Sequence, residues 1–404
     1  MKLSKPSQLV LVSIFGLLVA SLFTACQLVT VDFLFVAGSG GTGAGSAGEI
    51  QTFAVDSETG ALRSGFASNV PAGGNSPVAM AVSPDYANLY VANSDNNSVV
   101  HFTLANNGEL TKKDSVTLPG PPVSLAVNQA NNHLYVAYGS TTANLAEYSL
   151  SEGTIGSKVA SEALTVPGYT TDTLIPTGVD VLANNAAVYV TAYDQSAYNP
   201  GGTVTSTANP GWAFGFGVGS GGALTAAAGS PFLAGVKPSA LDSDPTSRFV
   251  YVTDYASNEL IGYGVISGST LEYLISGPYK TGAEPSSVTV DPRAKYIYVS
   301  NSLASSVSAY AIDLATGIPS AVVNVTGSQI NTTDTQPVSI AVDPALGRFV
   351  YTANYLGDSI SGFQLNPATG ALQPSEATPY PSQSHPTALL IVPHGNHSLE
   401  TTTP

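Results

Sequence analysis

The 404-residue chain has one cysteine, one tryptophan, two methionines, and only twelve lysines and arginines together. A lone Cys26 excludes an internal disulfide, so the fold must be held by packing. Charged residues are 10% of the chain, and 27 Asp and Glu leave a net charge of −15. No cluster of Lys and Arg could follow a phosphate backbone, which excludes nucleic acid as a partner. The four arginines, Arg63, Arg248, Arg293 and Arg348, are too few for the forked clamps that highly anionic sugar phosphates need. What is abundant is hydrophobic residues at 43%, with 40 Gly and 27 Pro. That balance suits short strands joined by many tight turns, whereas a disordered chain would be more charged and less apolar.

The first residues read as a processed leader. Lys2 and Lys5 precede an apolar run at 9–23, followed by Thr24-Ala25-Cys26. A basic start, about 15 apolar residues and small residues at their end make a secretory signal. The run is short of the ~20 residues that span a bilayer as a helix. Leu22-Phe23-Thr24-Ala25-Cys26 resembles a bacterial lipobox, with Phe23 where Leu is usual. The expected organisation is a signal peptide at 1–25, a lipid-anchored linker at 26–30 with Cys26 acylated, a folded domain at 31–393 and a tail at 394–404. The protein is then extracytoplasmic, touching membrane through its lipid alone.

One unit recurs through the chain. In Gln336–Asn354, QPVSIAVDPALGRFVYTAN, Pro337 opens an apolar run that ends at Asp343-Pro344, and a second β-rich run ends at Asn354. Two runs bounded by Pro, Asp-Pro and Asn read as an antiparallel hairpin. Equivalent prolines stand at 77, 122, 176, 238, 285, 337 and 386, spaced by 45, 54, 62, 47, 52 and 49 residues. A second turn with a fixed Gly returns as DSETGAL, NNGEL, SGGAL, DLATGIP and NPATGAL, giving each unit four strands. Seven four-stranded units at this period predict an all-β, seven-bladed propeller. The N-terminus lacks a first strand and the C-terminus has an extra one, PTALLIV, so the two ends combine in one blade that closes the ring. Phe35, Tyr90, Tyr135, Tyr189, Tyr251, Tyr298 and Tyr351 recur on the second strands and are read as packing between blades.

Two apparent motifs are set aside. Gly38, Gly40 and Gly43 satisfy G-x-G-x-x-G, but the strand EIQTFAV follows where dinucleotide binding needs a helix. Asp95, Asp254 and Asp358 offer oxygen ligands without a D-x-D-x-D-G loop, so no metal is expected, nor any cofactor.

The units FVYVTD, YIYVSN and FVYTAN, preceded by DP and followed by TGAL, resemble the YVTN-repeat propellers. They are most similar to the seven-bladed lactonase-type family that includes 6-phosphogluconolactonase and carboxymuconate cyclase. The resemblance covers residues 31–393 and implies metal-independent opening or closing of a lactone by polar groups on one face.

Residues before each first strand and after each second strand crowd one mouth of the ring. The first set is Ser76, Pro121, Ile175, Lys237, Glu284, Gln336 and His385. Lactone hydrolysis needs a base for water and a donor for the carbonyl oxygen. Glu284 and His385 are the expected acid–base pair and Lys237 the polarising group; Asp254, Asn301, Asn354, Gln336, Tyr193 and Trp212 are expected to bind substrate. Tyr193 and Trp212 flank an insertion at 193–214 that stretches one repeat and reads as a lid or ligand-contact loop. Two functions are open: hydrolysis of a neutral or weakly charged lactone, or non-catalytic binding of a protein or glycan by a surface-displayed monomer.

Overall fold

Proline lacks the N–H that continues a ladder, so it is best placed at the first position of a strand. Pro77, Pro122, Pro238, Pro285, Pro337 and Pro386 each begin the innermost strand of a blade. A computed structural model describes residues 29–39, 47–65, 67, 69–168, 173–198 and 210–393. The inner strands are Pro77–Val82, Pro122–Val127, Leu174–Val181, Pro238–Ser243, Pro285–Val290, Pro337–Val342 and Pro386–Pro393. Each lies beside the next around one axis, and each of the first six pairs antiparallel with the strand that follows it across the Asp-Pro or equivalent turn. A bulge just after the opening residues recurs, as between Pro285 and Ser287. The fold is the expected seven-bladed, all-β propeller.

Closure is also as expected. Thr30–Gly38 pairs with Pro386–Pro393 on one side and Glu49–Asp56 on the other, so blade 1 joins the two ends of the domain. Blades 2 to 7 begin at 77, 122, 174, 238, 285 and 337. The outermost strand differs from the simple expectation. In blades 1, 4, 5, 6 and 7 it is broken, and two short segments pair with one third strand, as Leu62–Arg63 and Val70–Pro71 do with Glu49–Asp56.

The recurring tyrosines and turn glycines make one device at the base. Tyr90, Tyr251, Tyr298 and Tyr351 are fully buried. Their hydroxyls donate to the carbonyls of Gly153, Gly317, Gly370 and Gly60, each in the next blade, at 2.6, 2.7, 3.0 and 2.7 Å. The glycine is required. At Gly317 φ is +75°, and a Cβ would lie 2.3 Å from the Phe249 ring. In the turns before the second strands, Asp244, Asp291 and Asp343 accept backbone N–H groups at 2.6–2.9 Å. The apolar clusters lie between neighbouring blades, as where blade 7 meets blade 1.

The closing seam holds one anomaly. Asp32 is fully buried, no hydrogen-bond donor among the described residues reaches its carboxylate, and its neighbour is the buried carboxylate of Asp343. Burial, then the charge of Asp343, hold Asp32 well above the usual carboxylate range.

Candidate functional site

At the opposite end, the inner and second strands are tied by a repeated bond. The N–H after each second strand donates to the carbonyl before the inner proline: Tyr255 to Lys237, Ser302 to Glu284, and Tyr355 to Gln336, at 2.9, 2.8 and 2.8 Å. Three of these rim residues carry a left-handed backbone, with φ +55° at Glu284, +59° at Gln336 and +51° at His385. Such φ values are costly for residues with side chains and persist where neighbours fix them. The Asn258 side chain accepts the Glu284 N–H and Asp358 accepts the His385 N–H, both at 2.7 Å.

Around Glu284 a polar constellation forms. Tyr255 on blade 5 donates its hydroxyl to Glu284 Oε2 on blade 6 at 2.5 Å, and Ser302 Oγ stands 3.5 Å from the same oxygen. Burial, then the hydrogen bond to Glu284, push the Tyr255 phenol up to about 12, so it remains a donor at neutral pH. Lys237 is half-buried among aromatic rings, the nearest being Tyr255, with its ammonium 4.2 Å from the ring centre. Burial lowers its pKa, and the charge of Glu284 partly restores it. A carboxylate, a phenol and an ammonium therefore meet at the rim where blades 5 and 6 join.

The other sequence candidates are placed differently. His385 packs against Tyr355 with ring centres 4.8 Å apart and planes tilted by 57°, and bonds Ser384 Oγ at 2.9 Å. No hydrogen bond or ion pair joins it to Glu284 among the described residues, so the expected acid–base pair forms two separate groups. Asp254 is buried and accepts the Val236, Lys237 and Ala256 N–H groups. Asn301 and Asn354 are buried and bond Ser306 and Ser308, and Ser359 and Ser361, respectively. These three lock the mouth loops, and their repeat position at the strand end explains why. Gln336 stands half-buried on the rim between the Glu284 and His385 groups. Trp212 is buried in the apolar cluster between blades 3 and 4, paired in register with Ala192, which corrects its reading as a ligand-contact residue. Tyr193 lies near Lys237, 5.5 Å from ring centre to ammonium. Residues 199–209 of the insertion, the leader with Cys26, and the tail lie outside the described residues.

Tyr255 was missed. It follows Asp254 at the end of a second strand, and the sequence reading weighed the strand-end residue in its place. The signal was present in the parallel positions of Tyr255, Ser302 and Tyr355. Below the rim, a channel cavity of about 250 Å³ is lined by the inner strands, including Ser124, Thr177, Ser239, Ser286, Ser339 and Thr387. Neither Lys237, Glu284 nor His385 lines it; they stand at its entrance, just before those strands begin. Among the described residues no three His, Cys, Asp or Glu side chains gather as a metal site would require.

Comparison with known proteins fits this architecture. The model of the lactonase, seven-bladed β-propeller family matches residues 33–197 and 232–397. A periplasmic gluconolactonase from Pseudomonas aeruginosa superimposes with a TM-score of 0.73 at 18% identity, covering 91% of this chain and 100% of that one. A Bacteroides uniformis protein provisionally assigned as a 6-phosphogluconolactonase gives 0.71 at 18%, covering 90% and 100%. At these identities the structural likeness establishes the fold alone. A search of curated proteins returns no match. The family match spans most of the folded domain, and the chain belongs to the lactonase family of seven-bladed β-propellers.

Proposed function

We propose that the protein is an exported, lipid-anchored hydrolase that opens a neutral or weakly charged lactone at the channel mouth. The observation that carries this is the meeting of Glu284, Tyr255 and Lys237 on the rim, with the phenol 2.5 Å from the carboxylate. Glu284 accepts a proton from water as the water oxygen attacks the lactone carbonyl carbon. The Lys237 ammonium donates to the carbonyl oxygen as it becomes anionic, while the single O–H of Tyr255 holds Glu284 in place. The ring C–O bond then breaks, and Glu284 returns its proton to the leaving alkoxide, giving the hydroxy acid. Gln336 and His385 with Tyr355 supply further polar contacts along the same rim. The scarcity of Arg and Lys argues against a phosphorylated substrate.

The extracytoplasmic location is supported by the lipobox-like sequence ending at Cys26 and by the periplasmic description of the Pseudomonas relative. The protein is read as a monomer, attached to membrane through its lipid only and without a nucleic-acid partner.

The test is hydrolysis of a lactone panel by the domain from Cys26 onward, beside Glu284→Gln and His385→Ala. Glu284→Gln is expected to lower kcat/KM by roughly 10²–10³-fold at unchanged Tm. His385→Ala, removed from Glu284, is expected to act mainly on KM. Because Lys237 is lowered by burial while Tyr255 titrates near 12, activity is expected to fall, as pH rises, earlier than an ordinary lysine would dictate. No turnover of any lactone would overturn the reading and leave a binding module at the mouth.

A further inference from the structure

Lys237 is held by more than the catalytic constellation requires. Its ammonium lies 4.2 Å from the ring centre of Tyr255, 4.5 Å from Tyr198 and 5.5 Å from Tyr193. Two of these rings come from the neighbouring blade 4. Tyr193 ends its second strand, Ala187–Asp194, and Tyr198 stands in the turn that opens the long insertion. The two rings meet edge to face, with centres 5.9 Å apart at 90°.

A lysine carries four rotatable bonds, and its ammonium sweeps a wide volume unless something restrains it. No carboxylate ion-pairs with Lys237 among the described residues. The charged group acting on it is Glu284 from blade 6; Asp254 lies on its own blade. Asp254 is already engaged by the N–H groups of Val236 and Lys237. Aromatic faces within about 6 Å attract a cation and are strongest where water is excluded.

We propose that Tyr198, backed by Tyr193, is a positioning residue that clamps the Lys237 ammonium beside Glu284, so that blade 4 sets the geometry of a site built on blades 5 and 6. This gives the start of the insertion a role different from a cover over the mouth. Burial among these rings also lowers the Lys237 pKa, the direction expected of an ammonium deprived of water. The consequence for rate rests on the lactone-hydrolysis reading; the clamp itself does not.

The two are separated by pairing a chemical measurement with a kinetic one on the same proteins. Competitive acetylation with acetic anhydride, read for each lysine by mass spectrometry, compares the wild type, Tyr198→Phe and Tyr198→Ala. Lys237 is expected to react more slowly than Lys280, whose side chain is 77% exposed. Tyr198→Ala is expected to speed Lys237 labelling about 5-fold, and Tyr198→Phe, which keeps the ring face, less than about 2-fold. Equal labelling in wild type and Tyr198→Ala, or equal effects of Phe and Ala, would overturn the clamp. In lactone hydrolysis Tyr198→Ala is expected to lower kcat/KM about 10-fold and to add nothing in a Lys237→Ala background. Additive losses would show that Tyr198 does not act through Lys237. Absence of turnover in the wild type would remove the hydrolase reading, with the labelling still deciding the clamp.

Discussion

At the base of the ring, Tyr90, Tyr251, Tyr298 and Tyr351 each donate to a turn glycine carbonyl in the next blade. At the mouth, the seven residues before the inner prolines share no chemistry: Ser76, Pro121, Ile175, Lys237, Glu284, Gln336 and His385. Both ends are built from the same hairpins, yet one repeats a contact and the other varies its side chains. Repetition serves the seams, because one way of meeting a neighbour serves most of the blades. Variation marks the end where single side chains can be assembled into a site. The varied end is itself uneven. Among these seven, the ionisable side chains fall on blades 5, 6 and 1, and blades 2 to 4 contribute Ser, Pro and Ile.

The sharpest way to break this division is to damage the base and ask whether the mouth notices. Gly317→Ala forces a Cβ within 2.3 Å of Phe249 at a φ of +75°. Left-handed strain and overpacking together should cost about 3 kcal/mol. Thermal unfolding should register a Tm lower by several degrees, while lactone turnover per folded molecule stays at the wild-type level. Glu284→Gln should do the reverse. A large loss of turnover per folded molecule in Gly317→Ala would mean that the base seams also tune the mouth.

A smaller effect of opposite sign is expected at the closing seam. Asp32 is raised by burial and by Asp343, so the fold favours its protonated form. That stability is fully present below the unfolded value of about 3.9 and is lost as pH rises towards the folded value. Asp32→Asn keeps the shape, removes the charge and can donate to Asp343. It should match the wild type near pH 4 and exceed it at pH 8 by about 2 kcal/mol, the cost of a buried polar group without a partner. Melting curves at the two pH values decide it; a variant that is less stable at pH 8 would show that the seam uses the charge.

The same contrast explains what the sequence made legible. Proline, Asp-Pro, Tyr and turn Gly recur because each does the same mechanical task in several blades, and recurrence is visible in a single chain. Blade number, strand order and ring closure follow from them. Asp254, Asn301 and Asn354 were expected to face substrate, yet they too recur at strand ends, and they turn out to be loop locks. Tyr255 and Tyr198 escaped notice for the opposite reason. Each acts once, and across a blade boundary: Tyr255 on Glu284, Tyr198 on Lys237. A periodic pattern reports contacts that repeat and is silent about one made a single time between distant segments. Trp212 sits on the strand Gly211–Val218, which begins inside the 193–214 span that repeat length alone assigns to the insertion.

The smallest effect tests the repeated latch against its own exception. Tyr251→Phe deletes a 2.7 Å bond to the Gly317 carbonyl in a fully buried setting and should cost about 1 kcal/mol. In blade 3 the equivalent Tyr135 reaches Glu147 at 3.4 Å instead, and Glu147 also lies 2.7 Å from His133 Nδ1. Burial pushes Glu147 up to about 7, with the Tyr135 bond opposing the shift. The fold therefore favours protonated Glu147, and this contribution fades as pH rises from about 4.3 towards 7. Tyr135→Phe should be nearly silent at pH 5, where Glu147 is largely protonated in the folded state. At pH 8 it should lower Tm slightly, because the carboxylate loses its phenol donor. Tyr251→Phe should lower Tm equally at both pH values. Identical pH behaviour in the two variants would mean that blade 3 keeps the common latch; divergence would mark its seam as a place where repetition gave way to a titratable pair.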